Sequence, residues 1–197
     1  PRVKGRIVTT ASADVPLKGL VPLLEALAKL RTERDVHLVV VGSLRKGGAT
    51  EEALDRLDLN DAVEFVSDIA ETEHVDVFGS AQVAVVPSLY EGFSLPAVEL
   101  MSCATPLVAT NAGALPEVVG PDGEAVLRVE PGDPQELAVA LGRLLDDDEL
   151  AARIGAAGRA RVIENYTWSV VAARTADWYR QCLAKAADGT EEDHADR

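Results

Sequence analysis

Short apolar runs alternate with helical patterns along most of the chain, and this alternation restricts the fold more than any other feature. The runs are rich in β-branched residues, as strands are, and comprise "GRIVTT" (5–10), "VHLVVVG" (36–42), "AVEFV" (62–66), "AQVAVVPS" (81–88), "TPLVAT" (105–110) and "EAVLRV" (124–129). Helical segments separate them, at 17–33, 50–59, 71–80, 95–103 and 115–119. Apolar strands joined by helices predict an α/β, doubly wound, Rossmann-like domain with a parallel six-stranded sheet.

The chain after the last predicted strand is expected to be helical. The pattern from 134 to about 185 is helical, and "DDDEL" (146–150) divides it into two helices. The final stretch "DGTEEDHADR" (188–197) is polar and acidic, which predicts a disordered tail. Since 197 residues with 47% apolar side chains can bury one sizeable core, we expect a single domain over 1–187.

Charge and cysteine content exclude several classes of function. The formal net charge of −14 argues against a non-specific nucleic-acid binder and against a protein that binds anionic membranes. No apolar stretch of about 20 residues is present, so we expect no insertion of this chain into a membrane. Cys103 and Cys182 have neither disulfide-framework nor metal-ligand spacing and indicate reduced thiols in a cytoplasmic protein. The expected partner is a small molecule.

In an open α/β sheet, ligands bind beyond the carboxyl ends of the strands, so the loops after the strands are the candidate sites. The loop "TTASADVPLKG" delivers Lys18 to the start of a helix, where a cation opposes the helix dipole unless an anion lies between them. This placement favours a phosphate contact over a plain surface lysine.

The loop after the second predicted strand reads "VGSLRKGG" and offers Gly42, Ser43, Arg45 and Lys46. Its glycines permit close approach of the backbone to a ligand, and its two cations add positive charge. The loop matches neither the P-loop nor the dinucleotide fingerprint, so a flexible surface loop is an equal alternative.

The stretch "SLYEGFSLPAVEL" (88–100) contains two carboxylates, Glu91 and Glu99, in an otherwise apolar run. Ser94 is a suitable N-cap, so a buried helix is expected from about Leu95 to Cys103. A buried, unpaired carboxylate is costly, and sugar hydroxyls are suitable donors to it. The alternative is that Glu91 caps the helix while Glu99 bonds to backbone or water.

No basic residue lies near these two glutamates in the sequence. The nearest are Arg56 before them and Arg128 after them. Any cation that pairs with Glu91 or Glu99 therefore has to come from a distant part of the chain.

The stretch "SLYEGFSLPAVELMSCATPLVATNAGALPEVVG" resembles the signature of retaining, nucleotide-sugar-dependent glycosyltransferases of the GT-B fold. The family's two glutamates are separated by seven residues, and Glu91, Gly92, Phe93 and Glu99 match this motif. The resemblance also includes "LKGLVPLLEALAKL", "LVVVG", "VEFVSDI", "PGDPQELAVAL" and "YTW". It implies a C-terminal donor-binding domain whose N-terminal, acceptor-binding domain lies outside this chain.

The resemblance also implies roles for individual residues. Glu99 would accept hydrogen bonds from the ribose hydroxyls of a nucleotide diphosphate sugar, and Glu91 would face the hexose. Lys18 would contact the diphosphate, in a site separate from the two carboxylates. The N–H groups of Gly92, Phe93, Ser94 and Leu95 would hold sugar hydroxyls and phosphate. The base would lie against the loop of Val66, Ser67 and Ile69, largely through backbone contacts.

One departure from the family concerns the residues before Lys18. The family usually has an arginine there, whereas this chain reads Thr10, Ala11, Ser12, Ala13 and Asp14. Either the neighbouring loop with its Arg and Lys supplies the second positive charge, or diphosphate binding is organised differently.

The "DDD" run at 146–148 looks superficially like the metal motif of the other glycosyltransferase fold. It lies at a predicted helix junction, which favours capping and solvated charge. We therefore expect no metal and no other cofactor.

For the reaction, the resemblance implies transfer with retention by departure and attack on one face, with Glu91 positioning and stabilising charge. The isolated chain should bind the donor without transferring sugar. The helix over 167–185 should expose apolar surface at Trp178 and Tyr179. Two rival hypotheses are a non-catalytic nucleotide-sugar-binding or regulatory module and an interaction domain without a ligand.

Overall fold

The structure, a computed structural model, describes residues 1–11 and 15–192. The strands are β1 Val3–Thr10, β2 His37–Val41, β3 Val63–Val66, β4 Ala81–Val86, β5 Leu107–Thr110 and β6 Leu127–Val129. The helices are α1 Leu20–Leu30, α2 Ala49–Leu57, α3 Glu71–Ser80, α4 Leu95–Ser102, α5 Leu115–Val119, α6 Pro134–Asp146, α7 Asp148–Asn165 and α8 Trp168–Glu192. A 3₁₀ turn, Pro16–Lys18, precedes α1.

The six strands form one sheet in the order β3-β2-β1-β4-β5-β6, and every neighbouring pair is parallel. The prediction of a doubly wound, Rossmann-like sheet is confirmed. Strand order reverses between β1 and β4, so the loops after these two strands border the crevice where such folds bind ligands.

The pattern of buried residues explains why these segments adopt this arrangement. The central strand β4 is buried almost throughout, as expected for a sheet covered on both faces. In α1, Leu20, Leu23, Leu24, Leu27 and Leu30 recur at helical spacing and are all buried. They join the main core cluster with residues of the sheet and of α6.

Several element boundaries differ from the sequence prediction, and two of them have a clear local cause. The helix predicted from residue 17 begins at Leu20, because Gly19 separates it from the 3₁₀ turn with a left-handed backbone, φ 68°. The strand predicted to end at residue 88 ends at Val86. Pro87 follows it and has no N–H group with which to continue the strand pairing.

The "DDD" run lies at a helix junction, as predicted. Asp147 accepts a hydrogen bond from the Leu150 N–H at 2.9 Å, which caps the start of α7. Asp146 pairs with Arg34, whose Nη2 lies 2.7 Å from Oδ2, and this hydrogen bond lowers the pKa of Asp146. The capping interpretation is confirmed, whereas Asp146 forms an ion pair in addition to the solvated charge that was predicted.

The chain divides into two compact units, Pro1–Arg161 and Val162–Arg197. The described part of the second unit consists of the end of α7 and helix α8. The prediction of two C-terminal helices is wrong, since a break at 166–167 produces a third. Helix α8 continues to Glu192 and includes 188–192, whereas 193–197 lie outside the described residues.

The two residues singled out on the last helix are exposed, Trp178 and Tyr179 at 68% each. Both Cys103 and Cys182 are free thiols, and burial raises the pKa of Cys103. Among the helices of the described residues, none has the length and apolar character needed to cross a membrane.

Candidate functional site

The loops that follow β1 and β4 meet at the point where the strand order reverses. The N–H of Leu89, in the loop after β4, donates to the carbonyl of Leu17, in the loop after β1, at 2.7 Å. This hydrogen bond holds the two loops side by side. It brings together two residues that the sequence singled out, Lys18 and Glu91.

Lys18 and Glu91 form an ion pair, although 73 positions separate them in the sequence. Lys18 Nζ lies 2.7 Å from Glu91 Oε1, and the Glu91 side chain is only 9% exposed. The prediction that the cation for Glu91 comes from a distant segment is confirmed. The expectation that the carboxylates and the lysine occupy separate sites is wrong, because Glu91 itself is the anion beside Lys18.

Ser88 is a site residue that the sequence analysis missed. It is 2% exposed, and its Oγ donates to Glu91 Oε1 at 2.7 Å. A serine at the end of a buried strand, three residues before a glutamate, was the available signal. Ser88 is held in turn from β5, since Thr110 Oγ1 donates to its carbonyl at 2.5 Å.

The loop after β5 fixes the backbone of Glu91. The Ala114 N–H donates to the Glu91 carbonyl at 2.9 Å. Gly113 allows this approach, because a Cβ at that position would lie 2.1 Å from the same carbonyl oxygen, and its φ of +55° is left-handed. Both ends of Glu91 are therefore held by neighbouring loops.

Ser94 occupies the N-cap position of α4 but does not cap it. Its backbone is left-handed, with φ 79° and ψ 77°, and its side chain makes no capping hydrogen bond. Side-chain capping requires an extended backbone at this position, so the predicted cap is wrong. Ser94 Oγ is buried and has no hydrogen-bond partner among the described residues.

Glu99 lies on the exposed face of α4, so the prediction that it is buried is wrong. The helix turns Ala97, Leu100 and Met101 toward the protein interior, where each is 0% exposed. Glu99 lies on the opposite face together with Leu95, which is 65% exposed. Its carboxylate is therefore accessible to a ligand. Because it is solvated, it has no cost of burial that a ligand would have to offset.

The start of α4 presents unused hydrogen-bond donors. Within residues 1–11 and 15–192, the N–H groups of Gly92, Ser94 and Leu95 donate to no protein oxygen. The first N–H groups of a helix carry partial positive charge and bind anions. Phe93, beside them, is 43% exposed.

The loop after β2 approaches protein backbone rather than leaving room for a ligand at Gly42. A Cβ on Gly42 would lie 1.9 Å from the Ala11 carbonyl oxygen, so the close approach predicted for this glycine is to the loop after β1. Ser43, Arg45 and Lys46, on the same loop, are all exposed. Neither cation forms an ion pair with any residue in the described ranges.

The loop after β3, predicted to contact a base, is only partly free to do so. The Val66 carbonyl already accepts the Gly42 N–H at 2.8 Å. Ser67 is exposed and its hydroxyl lies 3.2 Å from Asp68 Oδ2, whereas Ile69 is half-buried. The loops after β2 and β3 are thus joined along the same edge of the sheet.

One cavity borders the loops after β1 and β4, and a second lies away from them. One of about 210 Å³ has mainly apolar walls with Lys18 among them, and lies beside Leu20 and Leu89. Another of about 700 Å³ is lined by α1 and α6, away from the loops that follow the strands, and the Arg34–Asp146 pair borders it. Among the residues that the structure describes, no three His, Cys, Asp or Glu side chains are grouped as metal ligands would be.

Comparison with known proteins shows the family to which this fold belongs. The family model for glycosyl transferases group 1 matches residues 1–161. The chain is 50% identical over 186 residues to the MMP alpha-(1->4)-mannosyltransferase of Mycolicibacterium hassiacum, covering 94% of this chain and 45% of that protein. It therefore spans less than half the length of this relative.

Two solved structures are similar in both fold and sequence. The sucrose-phosphate synthase of Thermosynechococcus elongatus superposes with a TM-score of 0.79 and 33% identity, over 94% of this chain and 47% of that one. The C-terminal domain of a glycosyl transferase group 1 family protein from Francisella tularensis gives 0.71 and 27%, over 83% and 86%. The chain belongs to the glycosyl transferases group 1 family, and its fold is that of the C-terminal domain of such an enzyme.

Proposed function

We propose that this chain is the donor-binding domain of a glycosyltransferase that moves a hexose from a nucleotide diphosphate sugar to an acceptor with retention of configuration. The observation that carries the proposal is the convergence of Lys18, Glu91 and the start of α4 at the reversal point of the sheet. A carboxylate, a cation and free N–H donors are complementary to sugar hydroxyls and phosphate. Membership of the family supports the same chemistry.

The exposed carboxylate of Glu99 is proposed to accept hydrogen bonds from the ribose hydroxyls. Glu91 faces the hexose, and the N–H groups at the start of α4 bind the phosphate adjoining it. Lys18 lies between Glu91 and that phosphate. Arg45 and Lys46, on the next loop, supply further positive charge to the diphosphate.

In the reaction, the bond between the anomeric carbon and the phosphate oxygen breaks, and negative charge develops on the leaving nucleotide. Lys18 and the start of α4 offset this charge, while the Glu91 carboxylate stabilises positive charge at the anomeric carbon. The acceptor hydroxyl attacks the same face and gives its proton to the leaving phosphate. These groups are proposed to act without a metal ion.

The acceptor is proposed to bind to another domain of a longer polypeptide, since this chain spans 45% of its mannosyltransferase relative. That relative makes mannose the first hexose to test. We place the reaction in the cytoplasm, where the two free thiols would stay reduced.

Calorimetric titration of the chain with UDP, GDP and ADP tests the proposal. We expect one of them to bind, and Lys18→Gln to weaken this binding about 10-fold by removing one charge-assisted contact to phosphate. Lys29→Gln on α1, where the amine donates to Gln135 at 3.0 Å, is the matched control and should leave binding unchanged. Absence of binding for all three nucleotides at millimolar concentration would refute the proposal.

A further inference from the structure

The buried hydroxyl of Ser88 is not used in the reaction described above, yet it lies at the centre of the site. Lys18 Nζ and Ser88 Oγ both lie 2.7 Å from the same atom, Glu91 Oε1. A serine hydroxyl has a single proton to donate, and here that proton is committed to the carboxylate.

The two oxygens of the Glu91 carboxylate are therefore unequal. Oε1 receives two donors, whereas Oε2 receives none from residues 1–11 or 15–192. A carboxylate can accept several hydrogen bonds, so Oε2 retains its full capacity as an acceptor. Oε2 is therefore the Glu91 oxygen with the most capacity left for a ligand hydroxyl.

Ser88 holds the carboxylate on a fixed framework. Its carbonyl accepts from Thr110 Oγ1 at 2.5 Å, and the Glu91 carbonyl accepts from the Ala114 N–H at 2.9 Å. Strands β4 and β5 and the loops that follow them therefore hold Glu91 by both its side chain and its backbone. Lys18, in contrast, is a flexible side chain that is 27% exposed.

We propose that Ser88 is a positioning residue that fixes the Glu91 carboxylate so that Oε2 faces a hydroxyl of the donor sugar. This inference rests on the proposed function, because it requires a sugar nucleotide in the crevice. Lys18 can turn toward phosphate when the donor binds, and Ser88 then remains as the donor that holds Oε1 in place. Ser88 touches neither the sugar nor the nucleotide.

The test compares the affinities for a sugar nucleotide and for the corresponding nucleotide without the sugar. Calorimetry with GDP-mannose and GDP, or with UDP-glucose and UDP, measures both affinities. The ratio used below is the affinity for the sugar nucleotide divided by the affinity for the nucleotide alone. Ser88→Ala should lower the ratio about 10-fold, while affinity for the nucleotide alone changes less than about twofold. Thr105→Val is the matched control: it removes another buried hydroxyl, bonded to the Phe78 carbonyl at 2.8 Å, and should leave the ratio unchanged.

A double-mutant cycle separates positioning from general loss of stability. In a Glu91→Gln background, Ser88→Ala should cause no further fall in the ratio, because the carboxylate it positions is gone. If Ser88→Ala does not fold, Ser88→Cys keeps the side-chain size with a weaker donor and should give a smaller fall of the same kind.

The possible failures are distinguishable. A wild-type chain that binds none of these four compounds, nor ADP or ADP-glucose, refutes the proposed function itself. A chain that binds them, but whose ratio is unaffected by Ser88→Ala or falls equally in the Glu91→Gln background, refutes only the positioning role. If Ser88→Ala lowers the melting temperature but leaves the ratio unchanged, the positioning role is likewise refuted.

Discussion

At the scale of single residues, Glu91 and Glu99 differ in their surroundings, although both belong to one motif. Glu91 is 8% exposed and paired, whereas Glu99 is open to solvent on the outer face of α4. The sequence identified both residues, but it could not show this difference. Which face of α4 is buried depends on how the helix packs against the sheet.

Glu99→Gln should weaken nucleotide diphosphate binding about 10- to 150-fold, because a neutral amide oxygen replaces a charged acceptor for the ribose hydroxyls. Glu91→Gln should leave binding of the nucleotide alone nearly unchanged, since its proposed partner is the sugar. Calorimetric titration of both variants measures this. Equal effects on nucleotide binding would contradict the separate roles.

A second residue-scale prediction concerns His37, which lies opposite Arg6 in the β1–β2 register. Arg6 Nε donates to His37 Nε2 at 3.2 Å. Burial, and then the charge of Arg6, lower the pKa of His37 from its ordinary 6.5. Because the folded state disfavours the protonated form, the stability contribution is complete above pH about 6.5 and is lost as pH falls through the lowered pKa.

The free energy of unfolding of the wild type should therefore decrease more than that of His37→Gln between about pH 7 and pH 5. Arg6→Met should show an intermediate decrease, since burial, the larger cause, remains. Chemical denaturation at several pH values measures both. Parallel pH profiles for all three proteins would show that His37 does not contribute.

At the scale of elements, the sequence pattern predicted all six strands and the helices that alternate with them. It did so because strands buried on both faces are apolar throughout. The packing between loops could not be predicted in this way. The contact of Gly113 with the Glu91 carbonyl and the Lys18–Glu91 pair each depend on the approach of segments distant in sequence. The break before α8 was missed as well, since no Gly or Pro marks it.

Gly113→Ala tests the packing of the loop after β5 against the loop after β4. The new Cβ would lie 2.1 Å from the Glu91 carbonyl oxygen on a left-handed backbone, so the loops must separate. We expect a loss of about 2 kcal/mol or more in the free energy of unfolding, together with weaker sugar-nucleotide binding.

Gly47→Ala is the control for this substitution. Gly47 has a φ of +70°, but a Cβ added there would meet no atom within 4 Å, so only the backbone cost of about 1 kcal/mol applies. Equal losses of stability in the two variants would show that the contact with Glu91 has no energetic importance. Unfolding curves in denaturant provide the comparison.

At the scale of the whole molecule, the net charge of −14 is opposite to what an anionic ligand requires. The proposed binding therefore depends on the local arrangement of Lys18, the start of α4 and the cations of the loop after β2. We expect nucleotide affinity to change less than about twofold between Arg56→Gln and the wild type, because Arg56 pairs with Glu25 at 3.0 Å outside these loops. A larger loss in this variant would indicate that general charge, rather than the crevice, governs binding.

The chain on its own should bind a sugar nucleotide without transferring the sugar, since the proposed acceptor site belongs to another domain. Incubation of the chain with GDP-mannose or UDP-glucose and candidate acceptors, followed by chromatography of the products, measures transfer. Turnover by the 197-residue chain alone would contradict the two-domain account.

We propose that the crevice at the reversal point of the sheet binds the nucleotide diphosphate sugar. Titration of the ¹⁵N-labelled chain with the nucleotide diphosphate that it binds, followed by amide NMR, tests this most directly. We predict the largest shifts for the N–H groups of Gly19, Gly92, Ser94 and Leu95. Shifts confined to residues that line the cavity beside α1 and α6, such as Arg34 and Arg143, would contradict this binding site. The absence of shifts at saturating concentration would contradict it as well.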